Sequence, residues 1–543
     1  MDREKLKDCN FLAKRALAYK YLEKEECEKG LELLKEVVEE RKNKVDMKNF
    51  IDASLKYAST FSKDKNWLKV LDIYRDIMMY DSVPNRLYKN MGLCLSALGY
   101  HKEAIEYFKL YVGLEPRDKE AYIFIGELAL NELGDLPLSI EYYEKAVNMG
   151  VNNFGVYNSL GHAYSKLYRD SHKEEQINYF LKAVQLEPNN EIVVKNLAYV
   201  YGKFDEVQKA DEMYGRMMLL KPSHSDLHSY GAYLVKHGRF REGFKFLRHR
   251  FYKEDISGAA FGSILSYPDK LWKIGDSIED KDVLIHYEQG FGDSIMFIRF
   301  LKDIQDKCKS VKLILQKGLI GLFKDSGISI PILEKEEIGN ISFDCIIPMM
   351  DLPLVTKLTK DTIPYAQGYL SVPDKKVEEY KKKYIKKNKK LKVGFAFEGS
   401  EASLETKRDI PVKEFYELMK AKDIDMYCFQ VGDIYKQLEK IPDSYKFTKL
   451  GETFKDWEDT ACAMKCMDLM ITSDNGVMNL AGALGVKTFG VFNSMTEWRW
   501  IKTKGDDIAW YSSIKPFQCP STDNWHAIMQ EVTKETLKLA NSR

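Results

Sequence analysis

Two short stretches and one isolated cation carry residues whose types and spacing could do chemistry. Glu288-Gln289-Gly290-Phe291-Gly292-Asp293 follows the short apolar run Val283–His286. Glycine accepts tight turns and lets backbone approach a ligand, so Gly290 and Gly292 would bring this loop, and Asp293 with it, within reach of a bound molecule. Asp293 stands where a helix starts, and a carboxylate there can cap the helix by accepting a backbone N–H. Asp474-Asn475-Gly476 closes the run Leu469–Ser473 and opens another helix. That N-terminus would offer free N–H groups and the positive end of a dipole to a diphosphate; the same residues would also cap the helix well. Arg408, three residues before Pro411, reads by itself as a surface cation able to pair with Glu405 or Asp409. Gln430 ends the run Asp425–Gln430 ahead of Gly432, where it could contact a nucleotide base.

The elements that must position these residues are strands alternating with helices. Val283–His286, Ser310–Gln316 and Asp344–Pro348 read as strands, with helices over Ser294–Lys307 and Gly318–Ser326 between them. A second series starts at Leu391–Phe397 and continues through Asp425–Gln430, Asp468–Ser473 and Thr488–Phe492. Such alternation predicts parallel sheets. We divide this half into Rossmann-like lobes at 281–385 and 386–543, facing each other across a cleft. That layout suits a nucleotide-sugar transferase of the GT-B class. Ten lysines fall between Lys375 and Lys392. A solvated helix and linker explains them better than a phosphate or nucleic-acid patch.

The first half is built differently. Gly92, Gly126 and Gly161 recur at 34- and 35-residue spacing inside similar amphipathic stretches, and Ala198 and Gly231 continue the series. Each stretch is followed by a second one bearing an aromatic residue, such as Phe108, Tyr143, Phe180 or Tyr214. This resembles the tetratricopeptide repeat. The small residue lets paired helices approach closely, and neighbouring pairs must stack to bury their apolar faces. The array is assigned to 1–250, degenerate before about 82, with a connector at 251–280 anchored by Leu271-Trp272. Its groove would recognise a peptide or protein; a spacer or dimerisation role, and so a homo-oligomer, stays open.

Composition narrows the classes. The chain has 543 residues, 83 basic against 82 acidic, for a net charge of +1. That removes a bulk electrostatic case for nucleic acid or membrane. Nine dispersed cysteines without a CxxC pair suit a reducing cytosol, and Cys462 and Cys466 read as buried thiols. The charged start Met1-Asp2-Arg3-Glu4-Lys5 lacks an apolar signal region, and no run approaches a membrane span. A cytoplasmic location is expected.

Residues 283–530 resemble the ADP-heptose glycosyltransferase family, the lipopolysaccharide heptosyltransferases, in the branch carried behind tetratricopeptide repeats. The matching stretches are Glu288–Asp293, Arg408-Asp409-Ile410-Pro411, Asp468–Asp474, Leu480–Gly485 and Glu497-Trp498-Arg499-Trp500, with Tyr511 and Trp525 in the tail. The resemblance implies an α-solenoid followed by an α/β GT-B fold. It implies an inverting, metal-independent enzyme that moves a sugar from a nucleotide-sugar donor to a hydroxyl, with no cofactor. Asp293 would be the general base, and Glu288, Gln289, Gly290 and Gly292 the acceptor-side loop. Arg408, with Lys407 as substitute, would hold the donor diphosphate. Asp474, Asn475 and Gly476 would bind the donor, Gln430 its base. Asn479 stands where the family usually has His; Asn still hydrogen-bonds but carries no charge. Glu497–Trp500 is read as structural. The repeats make a protein the expected acceptor, hence protein O-glycosylation. Glycan or lipopolysaccharide extension is the second reading, and an inactive repeat scaffold the rival from another class.

Overall fold

The computed structural model describes residues 3–81, 83–252, 259–399, 408–501 and 508–543. Packing divides the chain into two compact units, Met1–Tyr201 and Gly202–Arg543.

The first unit is a succession of antiparallel helix pairs. Arg86–Ala97 packs on His101–Leu114, Lys119–Asn131 on Leu136–Asn148, and Phe154–Leu167 on Lys173–Leu186. The recurring glycines are where the pairs close. A Cβ on Gly92 would lie 2.9 Å from the Phe108 ring, on Gly126 2.9 Å from Tyr143, and on Gly161 2.8 Å from Phe180. The aromatic of each second helix thus lies flat on the glycine of the first. Before residue 82 the sequence signal fades, yet the helices Arg3–Glu23, Cys27–Arg41, Lys44–Lys63 and Trp67–Met78 continue the same plan. Asn43 and Asn66 cap two of them through their side chains.

The second unit joins the last helices, Val207–Leu219, His224–Lys236 and Phe240–Leu247, to an α/β region with two parallel sheets. The first sheet holds β1 (Asp282–His286), β2 (Ser310–Ile314), β3 (Ile332–Leu333) and β4 (Cys345–Pro348), in the order β3-β2-β1-β4. The second holds β5 (Leu391–Ala396), β6 (Ile424–Cys428), β7 (Thr448–Lys449), β8 (Leu469–Ser473), β9 (Thr488–Phe492) and β10 (Ile514–Gln518), in the order β10-β9-β8-β5-β6-β7. Every strand pairing among the described residues is parallel. The second order is that of the doubly wound dinucleotide fold, and the first sheet reproduces its first four strands. β5, β6, β8 and β9 are buried along their whole length, as expected of strands covered on both faces. The lysine-rich stretch includes the helix Asp374–Tyr384, which buries Tyr380 and leaves most of its lysines to solvent.

The final helices belong to the core of this unit rather than to a separate array. Phe240 stacks on Trp510 at 5.6 Å, and Phe244 meets both Phe297 and Trp498 edge-on. The connector runs alongside: Trp272 is buried, its backbone N–H donates to the Ile346 carbonyl, and Arg248 donates to the Trp272 carbonyl at 2.7 Å. The packing therefore divides near 201, whereas the repeat pattern continues to about 250.

Candidate functional site

Doubly wound sheets bind ligands at the carboxyl ends of their strands, where the strand order reverses. In the first sheet that point lies between β1 and β4, and in the second between β5 and β8. The loop after β1 carries Gln289 to Asp293. The loop after β8 carries Asp474 to Gly476, and the one after β9 carries Glu497 to Trp500.

Gly290 is the cap residue of the helix Phe291–Phe297, with φ −66° and ψ 169° and no side-chain cap bond. Asp293 lies in the first turn of that helix and is not its cap. Its Oδ1 accepts instead from Arg499 Nε at 2.8 Å. The two loop glycines differ. A Cβ on Gly290 would meet nothing, while one on Gly292 would lie 3.0 Å from Asn479 Nδ2 and 3.5 Å from the Gly476 Cα. Gly292 is what lets this helix start directly against the start of Gly476–Ala483.

From Asp293 a chain of alternating charges crosses between the sheets. Arg499 Nη1 reaches Glu497 Oε2 at 2.8 Å, and Nη2 donates to Gln289 Oε1 at 3.3 Å. Arg408 Nη1 lies 3.6 Å from Glu497 Oε1 and 3.4 Å from Asp474 Oδ2. Burial alone would lower the Arg499 guanidinium, but Asp293 and Glu497 outweigh it and hold it raised. Burial, and then the neighbouring Glu497 charge, push the Asp474 carboxyl up to about 6; Arg408 offsets only part of this. The Trp500 indole also eases the raised Asp474 carboxyl, and among the described residues the buried Arg408 Nε has no hydrogen-bond partner.

The remaining expected residues divide. Asn475, not Asp474, caps the helix Gly476–Ala483: its side chain accepts from the N–H groups of Val477 and Met478. Two donors expected to be free for a diphosphate are therefore already engaged. Gly476 packs against Trp457, whose ring a Cβ would meet at 2.8 Å. Asn479 is 5% exposed; it accepts from the Tyr511 hydroxyl at 3.0 Å and donates to the Asn475 carbonyl at 3.3 Å. Its amide thus spans two internal partners. Gln430 turns both ends of its amide to the β5 loop, accepting from the N–H groups of Phe397 and Glu398 and donating to the Glu398 carbonyl. Its position shapes that loop.

Glu288 is not at the loop surface. Its carboxylate is buried, pairs with Arg250 at 2.6 Å and accepts from the Met350 N–H at 2.7 Å. Arg250 also holds Asp351 at 2.8 Å. Lys407 lies outside the described residues. Cys462 is buried as expected and Cys466 is half-buried; burial pushes the two thiols up to about 12 and about 11. Among the described residues no group of three or more His, Cys, Asp or Glu side chains could hold a metal ion, and no helix is long and apolar enough to cross a membrane.

Sequence reasoning assigned Arg499 and Glu497 only a structural part, within Glu497–Trp500. Two charges between tryptophans in Glu497–Trp500 were the available signal. It passed over Arg299, a cation inside the apolar run Ile295–Leu301. Arg299 is buried against the rings of Tyr369 and Tyr511 and donates to the carbonyls of Met296 and Trp510 and to the Tyr369 hydroxyl. Tyr369 meets Tyr511 at 3.3 Å, so this set backs Asn479 from below.

Residues 86–118 match the family model described as the tetratricopeptide repeat. The helix pair Arg86–Ala97 and His101–Leu114 is one such repeat. Over a longer span, Protein FlbA of Caulobacter vibrioides is 22% identical across 474 residues, covering 82% of this chain and 71% of that protein. The Sol locus transcriptional repressor of Clostridium acetobutylicum is 30% identical over 76 residues, 14% of this chain and 24% of that protein. Among solved structures, YrrB, described as a TPR protein with an unusual peptide-binding site, is 15% identical and covers 32% of this chain and 89% of its own, with a TM-score of 0.29. A fragment of MamA from Desulfovibrio magneticus RS-1 gives 20%, 32% and 94%, also at 0.29. A TM-score of that size does not establish a common fold.

Proposed function

We propose that the chain is an inverting glycosyltransferase of the GT-B plan, moving a sugar from a nucleotide-sugar donor to a hydroxyl, most simply on a protein presented by the repeats. One observation carries the reading. Asp293 from the first sheet and Arg408 and Asp474 from the second are joined through Arg499 and Glu497 at the strand ends where such sheets bind ligands. Asp293 takes the proton as the acceptor oxygen attacks the anomeric carbon. The new C–O bond forms on the face opposite the old one, whose electron pair leaves with the diphosphate. Arg408 and Arg499 meet the charge developing there, so the reading needs no metal.

Transfer assayed over a donor panel with candidate acceptors tests it. Asp293→Ala should lower turnover by about 100-fold or more, the usual contribution of a general base, while the chain stays folded. Equal turnover in the two proteins would sink the assignment of the base. No transfer or donor hydrolysis in the parent chain, over the whole panel, would favour the scaffold reading. That reading draws on Asn475 and Asn479, whose polar groups are already spent inside the chain.

A further inference from the structure

Three carboxylates and two guanidiniums make up the charge chain, and Glu497 occupies a particular place in it. Among the described carboxylates it alone contacts both guanidiniums, at 2.8 Å from Arg499 and 3.6 Å from Arg408. It is also the most open of the three: its side chain is 32% exposed, against 15% for Asp293 and 10% for Asp474. Its grip on Arg408 is loose. The 3.6 Å separation is too long for a hydrogen bond, and among the described residues Arg408 Nε has no hydrogen-bond partner. Glu497 also crowds Asp474, whose carboxyl it helps to raise.

With all three carboxylates ionised the cluster already carries one negative charge in excess. Adding a diphosphate without moving a carboxylate would set still more negative charge on the same two half-buried guanidiniums, which is unfavourable. Asp293 and Asp474 are the more enclosed, whereas Glu497 has solvent on one side to turn into.

We propose that Glu497 is a resident counter-anion that holds the ligand's place between Arg408 and Arg499, and that it sets a charge threshold for what binds there. A ligand must bring enough charge, spread over both guanidiniums, to displace it. A diphosphate does so; a single phosphate or a carboxylate exchanges one partner for another of similar strength and gains little. Glu497 is thus a specificity-determining residue, discriminating by charge. This rests on the diphosphate reading above.

The test is inorganic pyrophosphate and orthophosphate titrated calorimetrically into the full chain, its Glu497→Gln variant and a control, Glu452→Gln, which removes the same charge from an exposed turn of the second sheet. Glu497→Gln should bind pyrophosphate about tenfold more tightly and lose much of its preference for pyrophosphate over orthophosphate, with the control unchanged. Equal pyrophosphate binding in all three proteins, or weaker binding in Glu497→Gln, would overturn the inference and leave the diphosphate reading standing. No binding in any of them would overturn both. Should Glu497→Gln fail to fold, Glu497→Asp, which keeps the charge but shortens its reach, should bind with intermediate strength; parent-like affinity there would overturn the inference.

Discussion

Arg408 and Arg499 share three carboxylates unequally, and the inequality has a pH signature. Arg499 takes the two short contacts, while Asp474 is buried with Arg408 at 3.4 Å as its nearest cation. Its carboxyl, raised to about 6, binds a proton more tightly in the folded chain than in the unfolded one, where it titrates near 3.8. Stability from this group is therefore fully present below about pH 4 and is lost as pH rises to about 6, by about 3 kcal/mol. Asp474→Asn removes the dependence: its advantage in chemical denaturation should grow from pH 4 to 6 and then level off. A gap that stays constant across that window would count against the raised carboxyl. The paired glycines give a second contrast. Gly290→Ala should be nearly neutral, whereas Gly292→Ala must shift the Asn479 amide by a few tenths of an ångström and should cost about 1 kcal/mol, read in the same denaturation experiment. Asp293 and Asp474 stood out in the sequence because each follows an apolar run and opens a helix. Arg499 did not, because its importance comes from a contact 206 residues away, made only once β9 and β1 are set in place.

Seven strands were legible from sequence, β1, β2, β4, β5, β6, β8 and β9, most of them uninterrupted apolar runs; β1, β5, β8 and β9 fall within about a residue of their expected bounds. The two-residue edge strands β3 and β7 are too short to leave a pattern, and β10 alternates buried and open positions around a proline. Arg250 shows what such patterns miss between elements. From the segment after Phe240–Leu247 it clamps Glu288 at the end of β1 and Asp351 after β4, all three buried. Arg250→Met would leave the buried Glu288 without its cation, while Asp351 keeps Arg248 at 3.2 Å, and should cost roughly 3–5 kcal/mol. A loss below 1 kcal/mol in urea denaturation would show that the clamp is dispensable.

The repeat period names the first half but does not show where the folding unit ends. It carries on through Gly231, while Phe240, Phe244 and Leu247 are core residues of the α/β region. A fragment 281–543 should therefore be insoluble or unfolded, and 202–543 should melt cooperatively and retain pyrophosphate binding. Cooperative melting of the shorter fragment would refute this. The same packing concentrates the aromatic side chains. Four of the seven tryptophans, Trp457, Trp498, Trp500 and Trp510, surround the charge chain or its support, and the Arg499 guanidinium lies 4.4 Å from the centre of the Trp498 ring. Intrinsic emission from the whole chain is thus weighted towards one locality. A ligand that draws Arg499 away changes the field at that indole, so occupancy can be followed by native fluorescence without a dye, a label or knowledge of the sugar.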